Sequence, residues 1–187
     1  NPFRDYHIVY APVCTGDVHW GDNIHTYADQ AGDVTIHFKG FVNTASALSW
    51  AYANVPDPES VFVTGCSAGS VGSIVHVPYI IEHYDGVPVA QFGDSLSFIF
   101  GRPVDLQLDW QVHDNFPQWI PELAEMAPSE WTMAKYYTAI ANHYPEYTFT
   151  QFNTVRDGVQ VFYTFPNGNG DESDWEPLLE EHLTTIH

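Results

Sequence analysis

The sequence predicts an α/β fold in which a mostly parallel sheet is flanked by helices. Short β-branched and aromatic runs alternate with longer segments of helical periodicity, and the two kinds of segment follow one another in strand, helix, strand order. The 187 residues are 44% apolar, which is enough for a folded core. A helix that spans a membrane needs about 18 consecutive apolar residues, and the sequence contains no such run. We therefore expect one domain over residues 1–187, without a membrane span.

The first elements follow from local patterns. Residues 7–13 are predicted to form a strand. Val34, Ile36 and Phe38 alternate with polar residues, which predicts a second strand, paired in a hairpin with residues near 24–27. Apolar residues then recur at helical spacing from 41 to 55 and predict an amphipathic helix that stops at the prolines around residue 57.

The most informative segment is 61–70, where a β-branched run turns at Ser67 into a helix. Gly65 and Gly69 lie two residues to either side, and the absence of a Cβ there lets strand and helix pass closely. This arrangement is typical of a nucleophile elbow, which exposes a serine Oγ above the sheet. It also places the N–H of Ala68 at a helix start, where it could stabilise an oxyanion. We expect Pro78 to kink or break this helix.

The elements after the elbow include an unusual insertion. A short strand over 88–93 is predicted to deliver Asp94 to its carboxyl end, and the sheet resumes at 147–153. Between them, residues 101–145 are rich in Trp, Tyr and Pro and are predicted to form a helical cap. Its aromatic residues suit either a ligand platform or a small core beneath the cap: Trp110, Trp119, Trp131, Tyr136 and Tyr137. A capping box at Ser173 is predicted to open a final helix.

The charge limits the possible partners. With 24 acidic and 5 basic residues, the formal net charge is −19. This excludes nucleic acid as a partner and opposes the approach of a polyanion at low salt. A protein adapted to salty water and a merely acidic protein both fit this composition. The two cysteines, Cys14 and Cys66, do not form a disulfide framework and are expected to be buried thiols.

The loop after the first predicted strand holds several chemically active side chains. Asp17, Asp22, His19 and His25 match no metal-ligand spacing, so we expect no metal site. A loop at the carboxyl end of a strand borders the active site in α/β sheets, which makes Asp17, His19 and Trp20 candidates for lining a substrate pocket. The alternative is a stiffened loop in which Trp20 is a packing lid.

Five blocks in one order resemble the pectin acetylesterase and Notum-type carboxylesterase family. They are Asn1 to Phe3, Tyr10 to Asp22, His37 to Asn43, Phe62 to Gly69, and Gly93 to Ser95. The resemblance spans nearly the whole chain and is weakest over 101–145. It implies an α/β-hydrolase fold, a Ser, Asp, His triad in that chain order, and an extracellular or periplasmic location.

The resemblance also implies roles for particular residues. Ser67 falls on the family's nucleophile and Asp157 on its triad acid. Asp94, one strand earlier, is the rival carboxylate; it is otherwise expected to brace the elbow or border the substrate pocket. The family's oxyanion loop is expected before residue 1 and its triad histidine beyond residue 187, so the chain is expected to be an incomplete hydrolase domain.

The function predicted from these features is that of a serine carboxylesterase. It would remove an acetyl or longer acyl group from a saccharide or protein through an acyl-enzyme, with no metal or organic cofactor. A saccharide-binding protein that keeps the fold without the chemistry is an alternative. A serine peptidase on the same fold is a third possibility.

Overall fold

The computed structural model describes residues 2–99 and 106–186, and these contain five strands and seven α-helices. The strands are β1 (Asn23–Tyr27), β2 (Val34–Phe38), β3 (Val61–Cys66), β4 (Val89–Asp94) and β5 (Thr148–Phe152). The helices are α1 (Gly40–Asn54), α2 (Ala68–His83), α3 (Leu106–Trp110), α4 (Pro121–Ala124), α5 (Met133–His143), α6 (Gly158–Thr164) and α7 (Glu172–Thr185). None of the described helices is both long and apolar enough to cross a membrane.

The central sheet is parallel, as the order of the elements predicts. β4 lies between β3 and β5, and both pairings are parallel. The register sets Cys66 beside Asp94 and Asp94 beside Phe152, so the three carboxyl ends are level. The predicted hairpin is also confirmed, because β1 pairs with β2 in antiparallel register. The fold is therefore mixed α/β with a three-stranded parallel sheet among the described residues.

The core forms where α2 and the segment between β4 and β5 pack together. α2 buries most of its length, including Ile74 and Val75. Trp20 is fully buried, stacks on Phe116 at 5.7 Å between ring centroids, and meets Tyr136 edge-on at 5.0 Å. Burial of these rings favours the core over a ligand platform for this part of the predicted cap. Residues 101–105 of that cap lie outside the described residues.

The prediction of a strand over residues 7–13 is wrong. This segment is irregular, and Ile8 and Tyr10 are 78% and 81% exposed. A strand needs a neighbour for its N–H and C=O groups, and no described strand pairs with this segment. The expectation of buried thiols is wrong for the same reason. Cys14 lies in this exposed stretch and Cys66 ends the edge strand β3, so both are exposed.

Two predictions about helix ends also need correction. α2 is not broken at Pro78 but continues to His83, because burial of its side chains against the core outweighs the lost backbone hydrogen bond; a kink at Pro78 stays a prediction. α7 is capped by Asp171, with Asp174 completing the capping box, instead of by Ser173. Ser173 instead donates its N–H to Asp171 at 2.7 Å. An aspartate in the same stretch therefore starts the helix two residues earlier.

Candidate active site

The backbone at Ser67 has the conformation of a nucleophile elbow. β3 ends at Cys66 and α2 begins at Ala68, so the chain reverses at one residue, which has φ 55° and ψ −118°. A residue other than glycine rarely adopts a positive φ, because its Cβ then crowds the backbone. Such a strained conformation persists only where the surroundings enforce it. Here Ser67 N–H donates to the carbonyl of Asp94 at 2.7 Å, and the carbonyl of Ser67 accepts from Ser70 N–H at 2.8 Å. The predicted strand, turn and helix are confirmed.

The two glycines of the motif have different roles. A Cβ on Gly65 would lie 2.2 Å from the carbonyl oxygen of Gly69, closer than backbone atoms can approach. A Cβ on Gly69 would meet nothing within 4 Å. Gly65 therefore permits the close passage of β3 and α2, while the space around Gly69 would accept a methyl group.

Ser67 is accessible to solvent, and neither its Oγ nor the N–H of Ala68 is blocked by a histidine or a backbone acceptor among the described residues. The residue is exposed at the carboxyl edge of the sheet. Within residues 2–99 and 106–186, no histidine nitrogen is hydrogen bonded to Ser67 Oγ, and the N–H of Ala68 donates to no acceptor. A free N–H at the first turn of a helix is the donor that an oxyanion requires.

Asp94 is attached to the elbow through its backbone. It ends β4, its carbonyl accepts from Ser67 N–H, and its half-buried carboxylate accepts a hydrogen bond from Ser95 Oγ. Ser95 has φ 65°, so the chain turns sharply here too. These contacts connect the ends of β3 and β4, which fits the bracing alternative for Asp94.

Asp157 lies just after β5 and caps α6. Its Oδ1 accepts from the N–H groups of Val159 and Gln160 at 3.0 and 3.1 Å, and its Oδ2 accepts from Gln160 Nε2 at 3.0 Å. The carboxylate is half-buried, and no described histidine bonds to it. The structure thus orients Asp157 without assembling a triad among the described residues. Gln160 was not predicted as a site residue, although Asp157-x-x-Gln160 has the spacing of a capping box.

The loop candidates Asp17, His19 and Trp20 are all buried. Asp17 accepts from Thr15 Oγ1 at 2.9 Å and from Gly40 N–H at 2.8 Å. The first contact lies within the loop, and the second holds the loop against the start of α1. None of the three side chains is open to solvent in this structure. Their role in lining a substrate pocket stays a prediction.

Two histidines connect this loop to the helices. His19 Nδ1 is hydrogen bonded to Thr44 Oγ1 at 3.0 Å, and its ring lies against Gly72 of α2, where a Cβ would come within 2.7 Å. His76 Nε2 contacts the carbonyl of His19 at 2.9 Å. Burial lowers the pKa of His19 despite the nearby charge of Asp17, and burial lowers the pKa of His76 to about 4. Both rings are therefore neutral at pH 7.

Comparison with known proteins identifies a family. A family model described as pectinacetylesterase matches residues 1–154 of the chain. The match includes Ser67, Ala68 and Asp94 and ends three residues before Asp157. No curated protein and no solved structure matches the chain.

Proposed function

We propose that this chain, which belongs to the pectinacetylesterase family, carries the nucleophile and the acid of a serine carboxylesterase. The observation that carries the proposal is the elbow conformation of Ser67, with its exposed side chain and the unoccupied N–H of Ala68 beside it. Esterase activity is the activity of the family. The serine mechanism and the residue roles are our inference.

In the proposed reaction, Ser67 Oγ attacks the ester carbonyl and a histidine accepts its proton. The tetrahedral oxyanion accepts a hydrogen bond from Ala68 N–H, and one such donor contributes about 3 kcal/mol to the transition state. The intermediate collapses to an acyl-serine, and the alcohol leaves with the proton from the histidine. Water then attacks the acyl group by the same steps in reverse, which releases the acid and restores the serine.

The base and its orienting acid complete the proposal. Because no described histidine is hydrogen bonded to Ser67 Oγ, we assign the base to a histidine outside residues 2–99 and 106–186. Asp157 would accept the second N–H of that imidazole and stabilise its charged form. Asp157 is preferred to Asp94 because three donors already fix its orientation, whereas Asp94 is engaged with the adjacent Ser95.

The net charge of the chain limits which classes of substrate can approach it. A net charge of −19 repels polyanions, so we propose a neutral saccharide ester, or a charged one at high salt, carrying an acetyl or longer acyl group. Family members are generally secreted, and we propose an extracellular location. A saccharide-binding protein without catalysis is the second candidate, favoured by the lack of an imidazole at Ser67 among the described residues.

The test is hydrolysis of p-nitrophenyl acetate by the full-length protein. Ser67→Ala is expected to reduce kcat/KM by about a thousandfold or more, because the nucleophile is lost. Cys66→Ala is the matched control: the thiol is adjacent and exposed, and its loss should change turnover by less than about twofold. An active Ser67→Ala with an inactive Cys66→Ala would refute the assignment. A wild-type protein that binds saccharides but turns over no ester would establish the second candidate.

A further inference from the structure

Helix α6 has its polar residues inside and its apolar residues outside. Gln160 and Thr164 are each 3% exposed, whereas Val159 and Phe162 are 64% and 60% exposed. A buried amide costs free energy unless each of its groups is hydrogen bonded, so the contacts of Gln160 should explain its presence.

The amide of Gln160 uses its full hydrogen-bonding capacity. Its Nε2 donates to Asp157 Oδ2 at 3.0 Å and to Asn153 Oδ1 at 3.2 Å. Its Oε1 accepts from the N–H and the Oγ of Ser97 at 2.9 and 3.0 Å. An amide has two N–H donors and two acceptor lone pairs, and all four are matched here.

These partners fix which way the amide points. With nitrogen and oxygen exchanged, an N–H would face the N–H of Ser97, and an oxygen would face the carboxylate of Asp157. Both contacts would be repulsive. The backbone of Ser97, three residues past β4, therefore determines that Gln160 offers a donor to Asp157.

We propose that Gln160 is a positioning residue that holds the Asp157 carboxylate in the orientation needed to receive the imidazole of the base. With Oδ1 held by two backbone N–H groups and Oδ2 by Nε2, the carboxylate can neither rotate nor retreat, and Oδ2 keeps a lone pair for the base. This inference rests on the proposed function, since it needs Asp157 to be the triad acid.

Thr164 provides a matched control for a merely structural role. It is as buried as Gln160 and lies one turn later on α6. Its Oγ1 donates to the carbonyl of Ile99 at 2.7 Å, so it also fastens α6 to the segment after β4. It does not contact Asp157, so Thr164→Val tests attachment of the helix without changing the carboxylate.

The experiment compares kcat and KM of the full-length protein for p-nitrophenyl acetate, with thermal unfolding as a check on folding. Gln160→Met keeps the volume of the side chain and removes the donor; we expect kcat to fall about 10–100-fold with KM within about twofold. Gln160→Glu keeps the acceptor for Ser97 but sets an oxygen against Oδ2, and should lower kcat at least as far. Thr164→Val should retain kcat within about twofold.

A double-mutant cycle with Asp157→Asn tests the positioning role of Gln160 separately from the assignment of Asp157 as the triad acid. If Gln160 acts through Asp157, Gln160→Met should cause no further loss of kcat in a protein that already carries Asp157→Asn. A further loss in that background, wild-type kcat in Gln160→Met, or an equal loss in Thr164→Val would refute the positioning role and leave the proposed function standing. Full activity of Asp157→Asn alone would refute the acid assignment, and the positioning role with it.

Discussion

Replacing Gly65 by alanine is expected to disrupt the elbow, and replacing Gly69 is not. The new Cβ on residue 65 would lie 2.2 Å from the carbonyl oxygen of Gly69 and 2.3 Å from its carbonyl carbon, where ordinary contact begins at 3.4 Å. The new Cβ and the oxygen would therefore be more than 1 Å too close. Backbone atoms form both sides of this contact, so no side chain can rotate to relieve it. We expect a loss of about 3 kcal/mol in the free energy of unfolding, at the upper end for overpacking.

Gly69→Ala is the matched control because the position is four residues away, in the first turn of α2, and open to a methyl group. Alanine stabilises a helix relative to glycine by about 0.5–1 kcal/mol, so this variant should be slightly more stable than the wild type. Urea unfolding should therefore separate the two variants by about 3–4 kcal/mol at equal m-values. Equal midpoints, or a less stable Gly69→Ala, would refute the steric account of the elbow.

Three further predictions concern pH, charge and salt. The folded-state pKa values of His76 and His182 are lowered by burial from 6.5 to about 4, so the folded state binds fewer protons and stability falls as pH drops from 6.5 toward 4. By pH 5 each of these two rings should cost about 2 kcal/mol, so in urea unfolding His76→Leu should lose about 2 kcal/mol of the drop in stability between pH 7 and pH 5; an unchanged drop would contradict this. Asp157→Asn removes the charge and leaves one acceptor oxygen where two now accept, so an N–H of the new amide faces either the N–H groups of α6 or Gln160 Nε2. We expect kcat to fall by about a thousandfold or more, with a loss of about 1–3 kcal/mol in stability from the unmatched donor. The same substitution at Asp94 should cost much less activity, and the reverse result would identify Asp94 as the acid. Turnover of an anionic polysaccharide ester should rise between low and moderate ionic strength while that of a neutral ester stays flat, and equal responses would exclude the net charge as the cause.

The sequence predicts the elbow well because its determinants are local. A β-branched strand, the turn at Ser67 and the start of α2 depend on neighbouring residues and on the lack of a Cβ at Gly65. The hairpin of β1 and β2 was predictable for the same reason, from alternation over a few residues. The family match over residues 1–154 confirms the resemblance that these segments carry.

The errors arise where a segment depends on distant partners. Residues 7–13 have the composition of a strand, but no described strand pairs with them. Pro78 reads as a helix breaker, yet packing holds α2 together on both sides of it. Burial of His19 and Trp20 likewise comes from contacts with α1, α2 and the segment between β4 and β5, which no local pattern encodes.

The sequence suggested part of the candidate site. Ser67, Ala68 and Asp157 were selected from the sequence, and their catalytic roles stay predictions; the structure shows the sharp turn at Ser67, Ala68 at the start of α2, and Asp157 as the N-cap of α6. Gln160 was not selected, because a glutamine three residues after an aspartate is an ordinary feature of helix starts. The contact of Gln160 with Ser97 is the informative one, and it joins residues 63 positions apart.

The central claim is that Ser67 is an activated nucleophile, and covalent labelling tests it most directly. A fluorophosphonate reacts with a serine only when a base and an oxyanion site activate it. After treatment of the full-length protein and proteolysis, mass spectrometry should find the phosphonyl adduct on the peptide that contains Ser67, and the adduct should vanish in Ser67→Ala but persist in Cys66→Ala. An adduct on a different serine, or none on a protein that still hydrolyses p-nitrophenyl acetate, would contradict the account.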